Sequence, residues 1–299
     1  MGTPGLTGRL VDSRRRAFAD EIDCSERSEL RPHGAARRCY RFARVRGGLG
    51  RPLGRRGGRA GVIQSIPGPQ HAADLTQALI ERTPPDVAVE RLLARDPEAP
   101  LRQVGVVDAH GVAAGHTGSS CVPFAGTAVG DGVVAQGNML TATAAWTAMV
   151  ARIAGADGDL AARLLASLHA GEQAGGDVRG RQSAALLVVG GGERIDVRVD
   201  DHPDPFAELQ RLLAMYRADL RMRAAIGHIV AGGDVEEVLP ELRAAQEVFG
   251  TNREPEFWEC VGLALAGRPD PALLAAIVRA NPGWAQLYGR IVVTGRVAS

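Results

Sequence analysis

The apolar positions of the chain fall into helical, stranded and patternless stretches. "ADLTQALIER" repeats its apolar residues at helical spacing. "TPPDVAVERLLARD" does so again, with Val89, Leu92 and Leu93 on one face. Thr83 suits the N-cap of this second helix. Pro84 suits its first turn, where a missing N–H is harmless. "LRQVGVVDAHG" gathers Val104, Val106 and Val107 into a strand that stops at the turn formers Asp108 to Gly111. "VAAGHTG" reads as its hairpin partner. "GTAVGDGVVAQGNM" predicts a second short hairpin, turning at Gly130, Asp131 and Gly132.

Two more helices are predicted in "TATAAWTAMVARIAG" and "DLAARLLASLHAG". "QSAALLVVGGGERIDVRVDD" predicts another hairpin: an apolar strand, then one alternating at Ile195, Val197 and Val199. The order helices, strands, helices, strands fits an α+β layered sandwich better than a parallel doubly wound sheet. Asp204 and Pro205 open a helix as N-cap and first helical residue. Its stripe is Phe206, Leu209, Leu212, Leu213, Tyr216 and Leu220. Everything beyond is helical. The expected division is therefore a disordered or non-native extension at 1–60, an α+β domain at 61–203 and a helical domain at 204–299.

Residues 1–60 show neither periodicity. They hold 15 Arg against 6 acids, and Arg31 to Ala60 holds ten Arg and no acid. Such an arm suits nucleic acid, but its Gly and Arg content suits a structureless extension as well. No nucleic-acid partner is expected for the rest, where acids outnumber Arg. All 35 cationic Lys and Arg residues are Arg. Schiff-base, Walker A, kinase-type and Ser-Lys chemistries are thus excluded. Cys24, Cys39, Cys121 and Cys260 are too scattered for a zinc site. No apolar run is long enough to span a bilayer, so no membrane partner and a cytoplasmic location are the default expectations.

The densest chemistry is "AGHTGSSCVPFAG". It places His116, Thr117, Ser119, Ser120 and Cys121 within six positions. One reading makes His116 an acid/base and Cys121 a nucleophile, with Thr117 beside them. The other is a strand-end turn with Cys121 as a small buried residue. Gln136 and Asn138 suit an oxyanion donor or a strand-to-helix turn. Asp177 and Arg179 precede an apolar strand. They suit a clamp for a substrate carboxylate or phosphate, or an internal pair fixing the loop. Asp200, Asp201, His202 and Asp204 have ligand chemistry, but Asp204 is already the helix cap, and no metal or cofactor is expected. His71, His169 and His228 read as surface or internally satisfied.

"RQVGVVDAHGVAAGHTGSSCVPFAGTAVGDGVVAQGNML", "GEQAGGDVRGRQSAALLVV" and "VRVDDHPDPFAEL" together resemble the bacterial domain-of-unknown-function family 1028, over about residues 75–215. That family is assigned to the N-terminal-nucleophile hydrolases. The resemblance implies an α-β-β-α sandwich. It also implies amide-bond hydrolysis by a Thr, Ser or Cys at the mature N-terminus, whose α-amine (pKa near 8) is the base. The substrate would be a small-molecule or peptide amide. This sequence opens Met1-Gly2-Thr3 instead, and Gly2 has no nucleophilic side chain. A displaced reading frame that rejoins the family near residues 61–65 would explain this, and would leave an inactive copy. "FWECVGLALAGRPDPALLAAIVRANPGWAQL" resembles a peptidoglycan-binding domain found behind many members. The alternative function is then a non-catalytic module for cell-wall glycan or a protein partner. A homodimer through a sheet edge is a further expectation.

Overall fold

The computed structural model describes residues 39–45, 59–66, 69–190 and 193–294. The chain divides into two compact units between Leu209 and Gln210. The first is mixed α+β. Strands β2 (Ala60–Gln64), β3 (Gln103–Val107) and β4 (Ala113–Thr117) form one antiparallel sheet in that order. Strands β5 (Gly126–Gly130) and β6 (Val133–Gly137) form an antiparallel pair. Strands β7 (Ser183–Gly190) and β8 (Glu193–Val199) form a hairpin, and β1 (Cys39–Val45) joins β7 in parallel. Helices α1 (Pro69–Ile80), α2 (Pro85–Arg95), α3 (Ala145–Gly155) and α4 (Leu160–Gln173) complete the unit.

The hairpins are built by their turns. Asp108 Oδ1 accepts from the N–H groups of His110 and Val112 at 2.8 and 2.9 Å, and Gly111 takes the left-handed φ of 86° that closes β3–β4. Alternation then sorts the faces of β3. Val104 and Val106 are buried with Ile63 against Leu75 and Leu79 of α1 and Val89 and Leu92 of α2. The opposite face carries Gly105, which lies directly across from Gly115 of β4. A methyl on Gly105 would sit 3.0 Å from Gln136 Oε1 and from Val134 Cγ1 of β6, and one on Gly115 would overlap Thr127 Cγ2 of β5. This glycine pair lets the β5–β6 hairpin lie close on β3–β4. Beyond the hairpin comes α3, with Trp146 against Gly126 and Val150 against Gly130. Helix α4 follows, tied to α3 by Ser167 Oγ donating to the Met149 carbonyl at 2.8 Å.

Several expectations change in detail. Helix α2 begins at Pro85 with Pro84 at the N-cap, and Thr83 is buried rather than capping. A strand stands at Cys39–Val45, inside the stretch that showed no strand periodicity. The remainder of 1–58, including the proposed frame change, lies outside the described residues.

The second unit is all helical among the described residues. The long helix α5 (Pro205–Val230) begins as expected, with Asp204 Oδ1 accepting from Ala207 N at 3.2 Å. The unit boundary falls inside it. Its buried positions are Phe206, Leu209 and Leu213, then Ala218, Met222, Ala225 and Ile229. Leu220, assigned to the stripe from sequence, is 39% exposed. The later buried stripe keeps i+3/i+4 spacing through smaller residues, which the search for large apolar side chains passed over. Helices α6 (Leu239–Phe249), α7 (Glu254–Leu265), α8 (Pro271–Ala280) and α9 (Gly283–Thr294) follow. Phe257 is fully buried, stacked on Trp284 at 4.5 Å and edge-on to Trp258 at 5.5 Å. No helix among the described residues is long and apolar enough to cross a membrane.

Candidate functional site

Between β3–β4 and β5–β6 the core turns polar, and its centre is Gln103. This side chain is fully buried at the start of β3. Its Nε2 lies 3.1 Å from Thr117 Oγ1, 3.2 Å from the Gly126 carbonyl and 2.8 Å from the Gly137 carbonyl. Its Oε1 accepts from Asn138 Nδ2 at 2.8 Å. The Thr117 and Thr127 hydroxyls are hydrogen-bonded to each other at 2.6 Å, either one able to donate. Next to this network Gln136 Nε2 donates to Gln64 Oε1 at 2.9 Å, while Gln136 Oε1 is shielded and has no hydrogen-bond partner among the described residues. A buried amide that satisfies its neighbours fixes register across two layers.

Of the residues singled out from sequence, Thr117 and Asn138 thus meet, but through Gln103, which sequence reasoning missed. Asn138 is no helix cap: α3 starts at Ala145 with Ala144 at its N-cap. Asp177 and Arg179 reach the Asn138 end through the backbone. Leu140 bridges Asp177, and Val178 N donates to the Met139 carbonyl at 2.9 Å. Arg179 grips Asp177 through Nε at 2.9 Å and Nη2 at 2.5 Å, and Asp177 Oδ1 also accepts Arg179 N at 2.8 Å. These bonds join two residues of the same loop. Phe124, whose carbonyl accepts from Leu140 N at 3.3 Å, and Met139 have left-handed φ of 51° and 54°, a strained backbone for side chains of their size.

His116 and Cys121 stand elsewhere. Strand periodicity turns His116 to the face opposite Thr117, beside α2. It lines an open cleft of about 580 Å³ with Asp86, Val89, Glu90 and Leu93. Its Nε2 is shielded and unpartnered. Cys121 belongs to a turn sealed on the 99–102 segment. Gly118 N donates to the Arg102 carbonyl and Ser120 N to the Pro100 carbonyl, both at 2.8 Å, and Cys121 Sγ lies 3.6 Å from the Arg102 carbonyl. Ser119 and Ser120 are exposed on that turn. Among the described residues neither Thr117 nor Cys121 is hydrogen-bonded to an imidazole or carboxylate. Burial pushes the Cys260 thiol up to about 12, far from a reactive thiolate.

A second buried cluster also escaped the sequence reading. Arg102, Asp96 and His71 are all buried. Arg102 Nε is 2.6 Å from Asp96 Oδ2, and His71 Nε2 is 3.3 Å from the same oxygen. Glu98 Oε2 lies 2.7 Å from Arg102 Nη2, and Arg102 Nη1 donates to the Ser65 carbonyl at 3.3 Å. His202 Nδ1 is 2.8 Å from the Asp204 carbonyl, and Asp200 pairs with Arg198 at 2.9 Å. Among the described residues no three His, Cys, Asp or Glu side chains are arranged to hold a metal.

The model of a family of unknown function, DUF1028, matches residues 51–209, just over half of the chain. The chain belongs to the DUF1028 family. Protein SPO2555 from Silicibacter pomeroyi, described under the same family, is 31% identical to it, over 51% of this chain and 70% of that one, with a TM-score of 0.47. No curated protein matches the chain. The DUF1028 match takes in the whole Gln103 network and the Arg102–Asp96–His71 cluster.

The hub sets a measurable expectation. Gln103→Leu removes donors from Thr117 and two carbonyls and strands Asn138 Nδ2 in the interior. It should cost about 2 kcal/mol, the penalty for an unmet buried polar group. Chemical denaturation followed by circular dichroism measures this. A variant as stable as the parent would show that the network closes without its centre.

Proposed function

We propose that this DUF1028 domain is an amide-binding member of the N-terminal-nucleophile hydrolase type which, in this chain, does not hydrolyse what it binds. The order of packing supports the reading: α1 and α2 lie on β2–β3–β4, β3–β4 on β5–β6, and β5–β6 on α3, as expected of an α-β-β-α sandwich. In this reading the polar seam between the two β layers holds the substrate amide. Gln136 Oε1 offers an acceptor for an amide N–H. The hydroxyls beside it bond to one another and to Gln103 rather than to a base. A hydroxyl without a base is a weak nucleophile, so in this reading Thr117 and Thr127 hold a bound amide rather than attack it.

The test uses the full chain with a panel of N-acyl amino acids, dipeptides and primary amides, and a β-lactone as acyl donor. Expected are no product release, no added acyl mass, and a thermal shift with at least one small amide that Gln136→Leu abolishes. Turnover or an acyl adduct overturns the non-hydrolytic half. Absence of any shift overturns the amide-binding half.

A further inference from the structure

We propose that the open edge of β4, together with the facing side of α2, is a docking groove for an extended peptide segment carrying a basic side chain. This goes beyond the amide-binding reading and uses the other face of the sheet.

The hydrogen-bond register of β4 sets its free edge. Asp108 N donates to the Val112 carbonyl and Gly118 N to the Arg102 carbonyl, and Ala114 and His116 lie between them opposite Val106 and Val104. In an antiparallel pair the bonded residues alternate. The even-numbered residues 112 to 118 therefore bond inward to β3. The N–H and C=O groups of Ala113, Gly115 and Thr117 point outward. β4 ends the sheet order, and no other strand among the described residues pairs with it. Gly115 is exposed in the middle of the strand, which keeps those groups accessible.

The space beside this edge is already shaped. The cleft of about 580 Å³ has α2 as one wall and Ala114, Gly115 and His116 of β4 as the other. Val89 and Leu93 give it an apolar floor. Asp86 and Glu90 stand one helical turn apart along it, both exposed and, among the described residues, in no ion pair or hydrogen bond. His116 Nε2 is shielded there with its hydrogen bond unmet. An added strand satisfies the outward backbone groups and sets alternate side chains against α2, the mode of strand addition at a sheet edge. Two unpaired carboxylates call for a cation on that strand. A second copy of this chain fits less well. Two-fold pairing of β4 with β4 places both α2 helices on one face, with four carboxylates converging and no cation between them.

The experiment titrates the full chain with acetyl-Val-Arg-Val-Arg-Val-amide labelled for fluorescence anisotropy. A Glu-for-Arg peptide and an Arg peptide N-methylated at alternate amides serve as controls. The Arg peptide should bind, with hydrogen-exchange protection appearing at the amides of Ala113, Gly115 and Thr117. Asp86→Asn with Glu90→Gln should weaken it about tenfold and flatten its salt dependence. The Glu peptide and the N-methylated peptide should each bind at least tenfold more weakly. Ala113→Pro deletes one outward N–H without touching the bonds to β3 and should abolish binding. Equal binding of Arg and Glu peptides overturns the proposal. So does binding without protection at the three amides, or protection of those amides in the free chain that grows with protein concentration, which marks a second copy in the groove. The peptide arms decide the matter even if Ala113→Pro fails to fold.

Discussion

Gly118→Ala should destabilise the α+β unit by roughly 3 kcal/mol or more, at the upper end of overpacking costs. A methyl on Gly118 would overlap the Pro100 carbonyl and lie 2.6 Å from the Ala99 oxygen. Those neighbours are backbone, so no rotamer change relieves the clash. The same carbonyl accepts from Ser120 N, and Gly118 N is itself bonded to the Arg102 carbonyl. Making room for the methyl breaks the seal between the turn after β4 and the segment that leads into β3. Gly171→Ala is the control. Its methyl would meet Met149 Sδ and Cγ at 2.6 and 2.7 Å, atoms of an unbranched side chain that can change rotamer, and in mid-helix alanine regains about 1 kcal/mol of propensity. Thermal unfolding of the two variants should differ by several degrees. A Gly118→Ala protein within about 0.5 kcal/mol of the parent would refute the seal, since that is the scatter of neutral substitutions.

That turn explains what the sequence showed and what it hid. The cluster from His116 to Cys121 reads as one site because its residues are neighbours in the chain. A strand undoes that proximity: His116 and Thr117 face opposite layers, and Gly118 starts a turn that takes Cys121 to the Arg102 carbonyl. The two hairpins were legible because their information is local. Asp108 and Gly111 close one, and Gly132, with φ of 64°, closes the other. The Gln103 network was not legible for the opposite reason. Its partners lie 14 to 35 residues away, and a lone Gln in a Val-rich strand reads as an interruption rather than a hub. A buried polar residue at the start of an apolar strand was the available signal. Strand β1 carries Arg41 and Arg44 among its apolar residues, and its register is set by β7, far along the chain. The pairing makes that strand, and the local pattern does not. The close packing of β5–β6 on β3–β4 also needed the Gly105–Gly115 pair, whose role appears only when β5–β6 lies over it.

Asp96→Ala should cost about 3–5 kcal/mol, because it leaves a guanidinium buried without its principal counter-charge. Arg102 and Asp96 have side chains 3% and 2% exposed, and the 2.6 Å contact between them is the shortest in the cluster. Glu98 still reaches Arg102, but its side chain is 59% exposed, so its charge is well screened. The loss propagates in two directions. Arg102 Nη1 holds the Ser65 carbonyl, beside left-handed backbone at Ser65 and Ile66 with φ of 65° and 60°. The next residue along β3 is Gln103, so the cluster also anchors the strand that centres the polar seam. Replacing both charges, as Asp96→Leu with Arg102→Met, should recover more than half of the loss, since apolar side chains of similar volume need no partner there. Urea denaturation gives the stability of all three proteins. Native-state hydrogen exchange at Val104 and Val106 reports whether the damage sits in β3. If the double variant is no more stable than Asp96→Ala, the cluster matters through hydrogen bonds to backbone such as the Ser65 carbonyl. If Asp96→Ala costs under 1 kcal/mol, the ion pair is no anchor at all, and the position of Gln103 must be set from the β5–β6 side.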